Sequence, residues 1–373
     1  MTIRMLDIAR QRARLEPGLG KAIERVLEHT AFINGPEVRA LEAALSEYAG
    51  VAHAVACANG TDALQIMLRA LGIGAGDAVF VPSLTFVATA EAVALAGATP
   101  VFVDVGRESG TMDPDSLAAT VAKVRDGRRL TPRAVLAVDL FSIPADHARL
   151  SQLCAAEDLF LCYDAAQSFG TETPWGRSGS YGTAAATSFY PSKSLGAFGD
   201  AGAVMTADGA LAARIRAIAN HGVEDGAHAL VGTNSRLDTL QAAILLEKLG
   251  IFDEELAARR RIAHAYGEAL DGLVQTPAVP EGVDPCWAYY VIRTPRRDAL
   301  MSHLAEAGVP SVAYYRRPTH LHPAFAEAPR APGGLPATEE WGETLLCLPS
   351  HPYLTDAEIS QVIDAVRGFF TAR

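Results

Sequence analysis

Cysteine is scarce and unpaired in pattern. The five present (Cys57, Cys154, Cys162, Cys286 and Cys347) are odd in number and scattered, with no Cys-x-x-Cys pair. That excludes a disulfide frame and gives no zinc-ligand spacing; such cysteines read as small buried hydrophobes in a reducing compartment. No metal site is expected. Basic residues are outnumbered, 32 against 43 acidic ones, for a net charge of −11. Without a basic block there is no nucleic-acid footprint. No apolar run is long enough to span a bilayer, so no membrane association is expected. The opening residues lack the apolar core and cleavage site of a signal peptide. A cytoplasmic location is the expectation. A Gly-x-Gly-x-x-Gly turn after the first strand is also missing, which counts against a dinucleotide site. No internal repeat or low-complexity tract stands out.

What is present is an ordinary globular composition, 49% apolar and 20% charged over 373 residues, enough for a large core and two domains. Apolar strand-like runs at 54–58, 78–82, 100–104, 133–139, 159–164 and 202–206 alternate with helical patterns at 37–48, 115–124 and 146–157, and an earlier helix is expected at 17–30. Repeated alternation of this kind argues for a mainly parallel sheet covered on both faces. A polar loop over 224–232 precedes a long helical stretch expected to begin at Asn234, kink near Gly250 and end near 272. The domain boundary is placed there, giving 1–250 as a large domain with an N-terminal helical segment and 251–373 as a small α+β domain.

Three stretches carry chemistry. In 182–202 a short run of small residues turns at Pro191-Ser192, and Lys193 is the only cation among them. It is either a surface charge on a loop or an amine held in a pocket. Asp164 ends a continuous apolar run, at the strand end where open α/β sheets place their ligands. It reads as a helix N-cap or as the counter-ion of a buried protonated nitrogen. Asn59-Gly60 leads from a strand into a helix whose first N–H groups suit a phosphate, although such turns are often purely structural.

In combination these segments resemble the fold-type I pyridoxal phosphate enzymes, specifically the DegT/DnrJ/EryC1/StrS family of nucleotide-sugar aminotransferases. The motifs are Asn59-Gly-Thr-Asp-Ala-Leu64, Pro82-Ser-Leu-Thr-Phe-Val-Ala-Thr89, Asp164-Ala-Ala-Gln167, Ser188 to Lys193 and Asn234-Ser-Arg-Leu-Asp238. The resemblance implies an α/β transferase fold with a mainly parallel central sheet. It implies that Lys193 forms the covalent link to pyridoxal 5'-phosphate and shuttles a proton, and that Asp164 keeps the ring nitrogen protonated. Gly60, Thr61, Asp62 and Ser188 would hold the phosphate, Phe86 would lie on the ring, and Gln167 would contact the ring-oxygen side. Asn234 would reach the cofactor from the neighbouring subunit of a homodimer. Arg236, Tyr314 and His320 are the candidate substrate residues, with a surface ion pair the alternative for Arg236 and a structural histidine the alternative for His320. The stretch Arg316-Arg317-Pro318-Thr319-His320 departs from the commoner family pattern, which leaves the shape of the substrate pocket open.

The implied reaction moves the amino group of L-glutamate, through the pyridoxamine 5'-phosphate form, to a keto sugar nucleotide. The wording around Asp164 and Arg236 is most similar to enzymes aminating C3 of UDP-linked 3-keto sugars, which serve amino-sugar and polysaccharide biosynthesis. Amination at C4 of a UDP- or dTDP-linked 4-keto-6-deoxy sugar is the alternative. A sugar dehydratase is disfavoured because histidine replaces the lysine in those relatives; a non-catalytic regulator on the same scaffold is the remaining rival.

Overall fold

The computed structural model describes residues 3–371. Three helices open the chain, α1 (Ile8–Leu15), α2 (Gly18–His29) and α3 (Pro36–Ala49), followed by β1 (His53–Cys57) and α4 (Gly60–Ala70). Alternation continues through β2 (Asp77–Pro82), α5 (Ala88–Leu95), β3 (Thr99–Val103), α6 (Pro114–Gly127), β4 (Thr131–Val138), α7 (His147–Glu157) and β5 (Phe160–Asp164). A short hairpin, β6 (Glu172–Thr173) with β7 (Gly176–Arg177), precedes β8 (Ala184–Ser188), β9 (Gly202–Thr206) and α8 (Gly209–Ala219). A second hairpin, β10 (Val223–Glu224) with β11 (Ala227–His228), leads to α9 (Thr239–Leu249) and α10 (Phe252–Leu270). The chain closes with β12 (Tyr290–Arg293), α11 (Arg297–Glu306), α12 (Pro336–Thr344), β13 (Leu345–Leu348) and α13 (Asp356–Thr371).

Seven strands form one sheet in the order β1-β9-β8-β5-β4-β2-β3. The pairs from β8 to β3 are parallel, and β9 runs antiparallel to both β8 and β1. The inner strands are buried on both faces, as their continuous apolar runs require: Phe80, Leu136 and Cys162 are fully enclosed. Burying a side chain such as Phe80 contributes about 1.5–3 kcal/mol. One face packs Ile66, Met67, Val93 and Ile215 of α4, α5 and α8; the other packs Leu117 and Leu150 of α6 and α7.

A separate core joins β12 and β13 to Ile262 and Tyr266 of α10 and to α11 and α13, with Ile3 returning from the N-terminal end of the described chain. Helix α10 belongs to both, since Phe252 and Leu256 pack with the sheet-side residues of α3 and α9.

The structure corrects several sequence expectations. The helix expected from Asn234 starts at Thr239 instead. Before it, Asn234 pairs in an isolated bridge with Asn220, and the extended Asp238 with Ile33. The break near Gly250 is present, between α9 and α10. Sequence periodicity did not identify α1, α12 or β13. Helix α1 has few buried residues (only Leu15), so its apolar stripe is faint. All five cysteines are buried and unpaired. Among the described residues there is no helix long and apolar enough to cross a membrane and no cluster of three metal-binding side chains.

Candidate active site

A cavity of about 440 Å³ opens where the C-terminal ends of β5 and β8 meet the N-terminus of α4. Parallel pairing sets Asp164 beside Ala186, so the last residues of both strands reach the same rim. The β8 run of three alanines is fully buried; small side chains there let α4 lie close against the strand. The contact is tight at two glycines. A Cβ on Gly60 would stand 2.6 Å from the Ser188 Cβ, and one on Gly202 would stand 2.5 Å from the Asn59 carbonyl carbon.

Asn59 caps α4, its Oδ1 accepting the Asp62 N–H at 2.8 Å. The Ala63 N–H donates to the Asn59 carbonyl. The N–H groups of Gly60 and Thr61 have no acceptor among the described residues and border the cavity beside Ser188. Two free amides at the positive end of a helix make an anion cradle. The amide of Asp62, also expected at the phosphate, is engaged by the cap. Gly60→Ala would force the helix start away from Ser188. Overpacking of 1–3 kcal/mol is expected to weaken cofactor retention about 10-fold or more, measured by equilibrium dialysis.

The chain has four lysines, Lys21, Lys123, Lys193 and Lys248, and only Lys193 lines this cavity. The turn after β8 presents it, with its N–H donating to the Tyr190 carbonyl at 2.8 Å. Burial lowers its pKa, and the nearby Asp164 charge acts in the opposite sense. Asp164 is 7% exposed. Its Oδ2 accepts from Thr89 Oγ1 at 2.7 Å and its Oδ1 from the Ala166 N–H at 3.1 Å. Burial raises its pKa, opposed by those two hydrogen bonds and then by Lys193. Neutral donors thus orient the carboxylate, but no ion pair among the described residues neutralises it. A buried acid in that condition is matched to a cationic partner entering the cavity.

Aromatic rings wall the opposite side. Phe86 is 54% exposed, and its ring centroid lies 5.9 Å from that of Tyr315. An aromatic left this open at a cavity wall offers a face for a flat ligand. Tyr314 stands between Tyr315 and Tyr289, at 5.8 and 5.6 Å. The Lys193 Nζ lies 6.0 Å from the Tyr289 ring. Gln167 borders the cavity but is buried, its Oε1 accepting the Phe141 N–H at 2.9 Å and its Nε2 donating to the Tyr315 hydroxyl at 2.9 Å. Its amide therefore fixes the tyrosine wall. Sequence reading missed Thr89 and Tyr289 as site residues. Thr89 lay within a quoted motif, but nothing local marks a hydroxyl as the partner of an acid 75 positions away.

Besides Asp62, three expected residues lie outside the lining of this cavity. His320 is buried, its Nδ1 2.7 Å from Ser83 Oγ and its Nε2 3.3 Å from Glu339 Oε1. Its own N–H also donates to Ser83 Oγ, which pins the turn to the end of β2 and aims the ring inward. These contacts are those of a structural histidine, the alternative carried for His320. Asn234 and Arg236 lie outside the cavity lining and contact each other, Arg236 Nη2 donating to Asn234 Oδ1 at 2.7 Å.

Next to the site lies a buried acid that sequence reading treated only as a strand end. Asp139 accepts from the Tyr181 hydroxyl at 2.6 Å, the Ser178 hydroxyl at 3.1 Å and the Ala145 N–H at 3.0 Å. Burial nonetheless pushes its carboxyl up from 3.8 to about 6. The folded state therefore holds this proton more tightly than the unfolded chain. Its stabilising effect is full below pH 4 and is lost as pH rises through about 6. That displacement corresponds to roughly 3 kcal/mol. Asp139→Asn is expected to remove this falling component from the stability profile between pH 4 and 7, measured by urea unfolding of paired proteins.

Over residues 16–367 the chain matches the DegT/DnrJ/EryC1/StrS aminotransferase family. It is 41% identical over 368 residues to the UDP-2-acetamido-2-deoxy-3-oxo-D-glucuronate aminotransferase of Pseudomonas aeruginosa, covering 98% of this chain and 99% of that protein. A crystal structure of a DegT DnrJ EryC1 StrS aminotransferase from Brucella abortus superimposes with a TM-score of 0.97 at 47% identity, with 99% and 100% of the chains covered. DesV of S. venezuelae, in complex with a ketimine intermediate, gives a TM-score of 0.93 at 39% identity and covers 100% and 99%. NtdA of Bacillus subtilis, with bound cofactor PMP, gives 0.88 at 28% identity and covers 99% and 85%.

Proposed function

The chain belongs to the DegT/DnrJ/EryC1/StrS aminotransferase family, and from that premise we propose that it is a pyridoxal phosphate-dependent transaminase that carries the amino group of L-glutamate to C3 of a UDP-linked 3-keto sugar. The observation that carries this reading is the convergence on one cavity of a desolvated lysine, a buried acid without an ion pair, and two free helix amides. The residues fit the cofactor: Gly60, Thr61 and Ser188 suit its phosphate, Asp164 its ring nitrogen, Phe86 its ring face and Lys193 its carbonyl carbon. Bound there, pyridoxal phosphate supplies the electron sink that carbanion formation in amino transfer requires.

The chain supplies orientation and proton handling. Asp164, held by Thr89 and Ala166, keeps a proton on the nitrogen facing it. Burial favours the neutral form of the Lys193 amine, the form that acts as nucleophile and base. Gln167 and Tyr315 hold the wall that excludes water from that side. Regiochemistry at C3 is supported by the named activity of the Pseudomonas aeruginosa relative. Assaying a panel of 3-keto and 4-keto sugar nucleotides with glutamate, and fixing product regiochemistry by NMR, tests it; amination only at C4 would refute the C3 assignment.

Asn234 and Arg236 support a shared-site homodimer, because the exposed Asn234 and half-buried Arg236 lie outside their own cavity and the buried Arg236 Nε has no partner among the described residues. Mixing Lys193→Ala subunits with Asn234→Ala subunits is expected to restore activity that each lacks alone, since one site of the mixed dimer carries neither change. A division into 1–250 and 251–373 is supported by the separate core around β12 and β13. A cytoplasmic setting accords with five free, buried thiols.

A further inference from the structure

Lys248 is a buried lysine near the site, and the proposed chemistry does not use it. It lies on α9 and is 1% exposed. Its Nζ donates to the Gly196 carbonyl and sits 4.0 Å from the Phe198 ring centroid. The nearby acid Glu255 is otherwise engaged, accepting from Gln11 Nε2 at 2.8 Å and from the Tyr353 hydroxyl. An ammonium kept this dry with a carbonyl and a π face for company is costly unless it fixes something.

What it touches is the turn that follows Lys193. Gln241, two helical turns earlier on the same face of α9, accepts the Phe198 N–H on its Oε1 at 3.0 Å. The Ala197 N–H donates to the Phe189 carbonyl at 2.7 Å, closing the turn back onto the end of β8. The turn has no slack: a Cβ on Gly196 would stand 2.8 Å from the carbonyl oxygens of Tyr190 and Pro191, and one on Gly199 3.0 Å from Gln241 Nε2. Segment 194–199 is thereby tied at both ends, to β8 on one side and to α9 on the other.

We propose that Lys248 is a positioning residue for Lys193: with Gln241 it clamps the turn at Gly196 and Phe198, and so fixes where the Lys193 amine stands in the cavity. Burial lowers the Lys248 pKa to about 8, so the clamp is charged at neutral pH. The proposal rests on Lys193 being the reacting lysine, and borohydride reduction of the wild-type holoenzyme checks that separately by the position of the adduct.

The test compares Lys248→Met and Gln241→Leu holoenzymes with wild type. Hydrogen exchange is followed over 194–199, and kcat is separated from KM for glutamate. Loss of either ligand is expected to speed exchange of the Ala197 and Phe198 amides about 10-fold or more. It should lower kcat about 10- to 100-fold, the cost of misplacing a reacting group by about an ångström, with KM within about twofold. Gln241 is only half-buried, so its variant decides the matter if Lys248→Met does not fold. Unchanged exchange over 194–199, or kcat within about twofold of wild type, would overturn the clamp. An adduct on a lysine other than Lys193 would instead overturn the reading it stands on.

Discussion

Lys193→Ala is expected to lower turnover by about 10⁴-fold or more, since it removes both the nucleophile and a positioned general base, which alone contributes about 10²–10⁴-fold. No other lysine can substitute. Lys21 and Lys123 do not border the cavity, and the Lys248 ammonium is spent on the Gly196 carbonyl. The fold should survive, because the side chain is desolvated rather than ion-paired: burial lowers its pKa more than Asp164 raises it. Steady-state assays and thermal unfolding on the same preparation check both halves. Retained amino transfer in this variant would refute the assignment.

Asp164→Asn is expected to cost about 10²–10³-fold in kcat, the scale of losing one preorganised electrostatic partner, while acting the other way on the empty protein. Without cofactor the carboxylate is buried beside neutral donors, and its pKa is raised by burial. Such a group contributes stability below its ordinary pKa and loses it as pH rises through the raised value. Neutral asparagine avoids that loss. The cofactor-free variant should therefore be at least as stable as wild type at pH 7. Activity and unfolding midpoints, measured with and without cofactor, separate the two effects. A variant that loses stability but keeps kcat would mark Asp164 as structural.

The parts of this site that announce themselves in sequence are those whose residue type is itself unusual locally. Lys193 is a lone cation in a run of small residues, and Asp164 is an acid ending an apolar strand; both stand where parallel-sheet topology puts strand ends. Gly60 was legible because a tight turn into a helix needs it, and the 2.6 Å approach to Ser188 explains why. Thr89, Tyr289 and the Gln167–Tyr315 pair were not, because their roles depend on partners far away in the chain. His320 shows the converse: a histidine near a predicted pocket reads as functional or structural alike, and only the fold reveals Ser83 and Glu339 holding its ring. The segment from Asn234 failed as a helix because the extended bridges to Asn220 and Ile33 outweigh local helical spacing.

With only four lysines in the chain, the covalent chemistry can be located without ambiguity. The holoenzyme is reduced with borohydride, digested, and mapped by mass spectrometry for the phosphopyridoxyl adduct. The structure predicts one adduct per chain, on Lys193. An adduct on Lys21, Lys123 or Lys248, or none at all in protein that binds the cofactor, would contradict it.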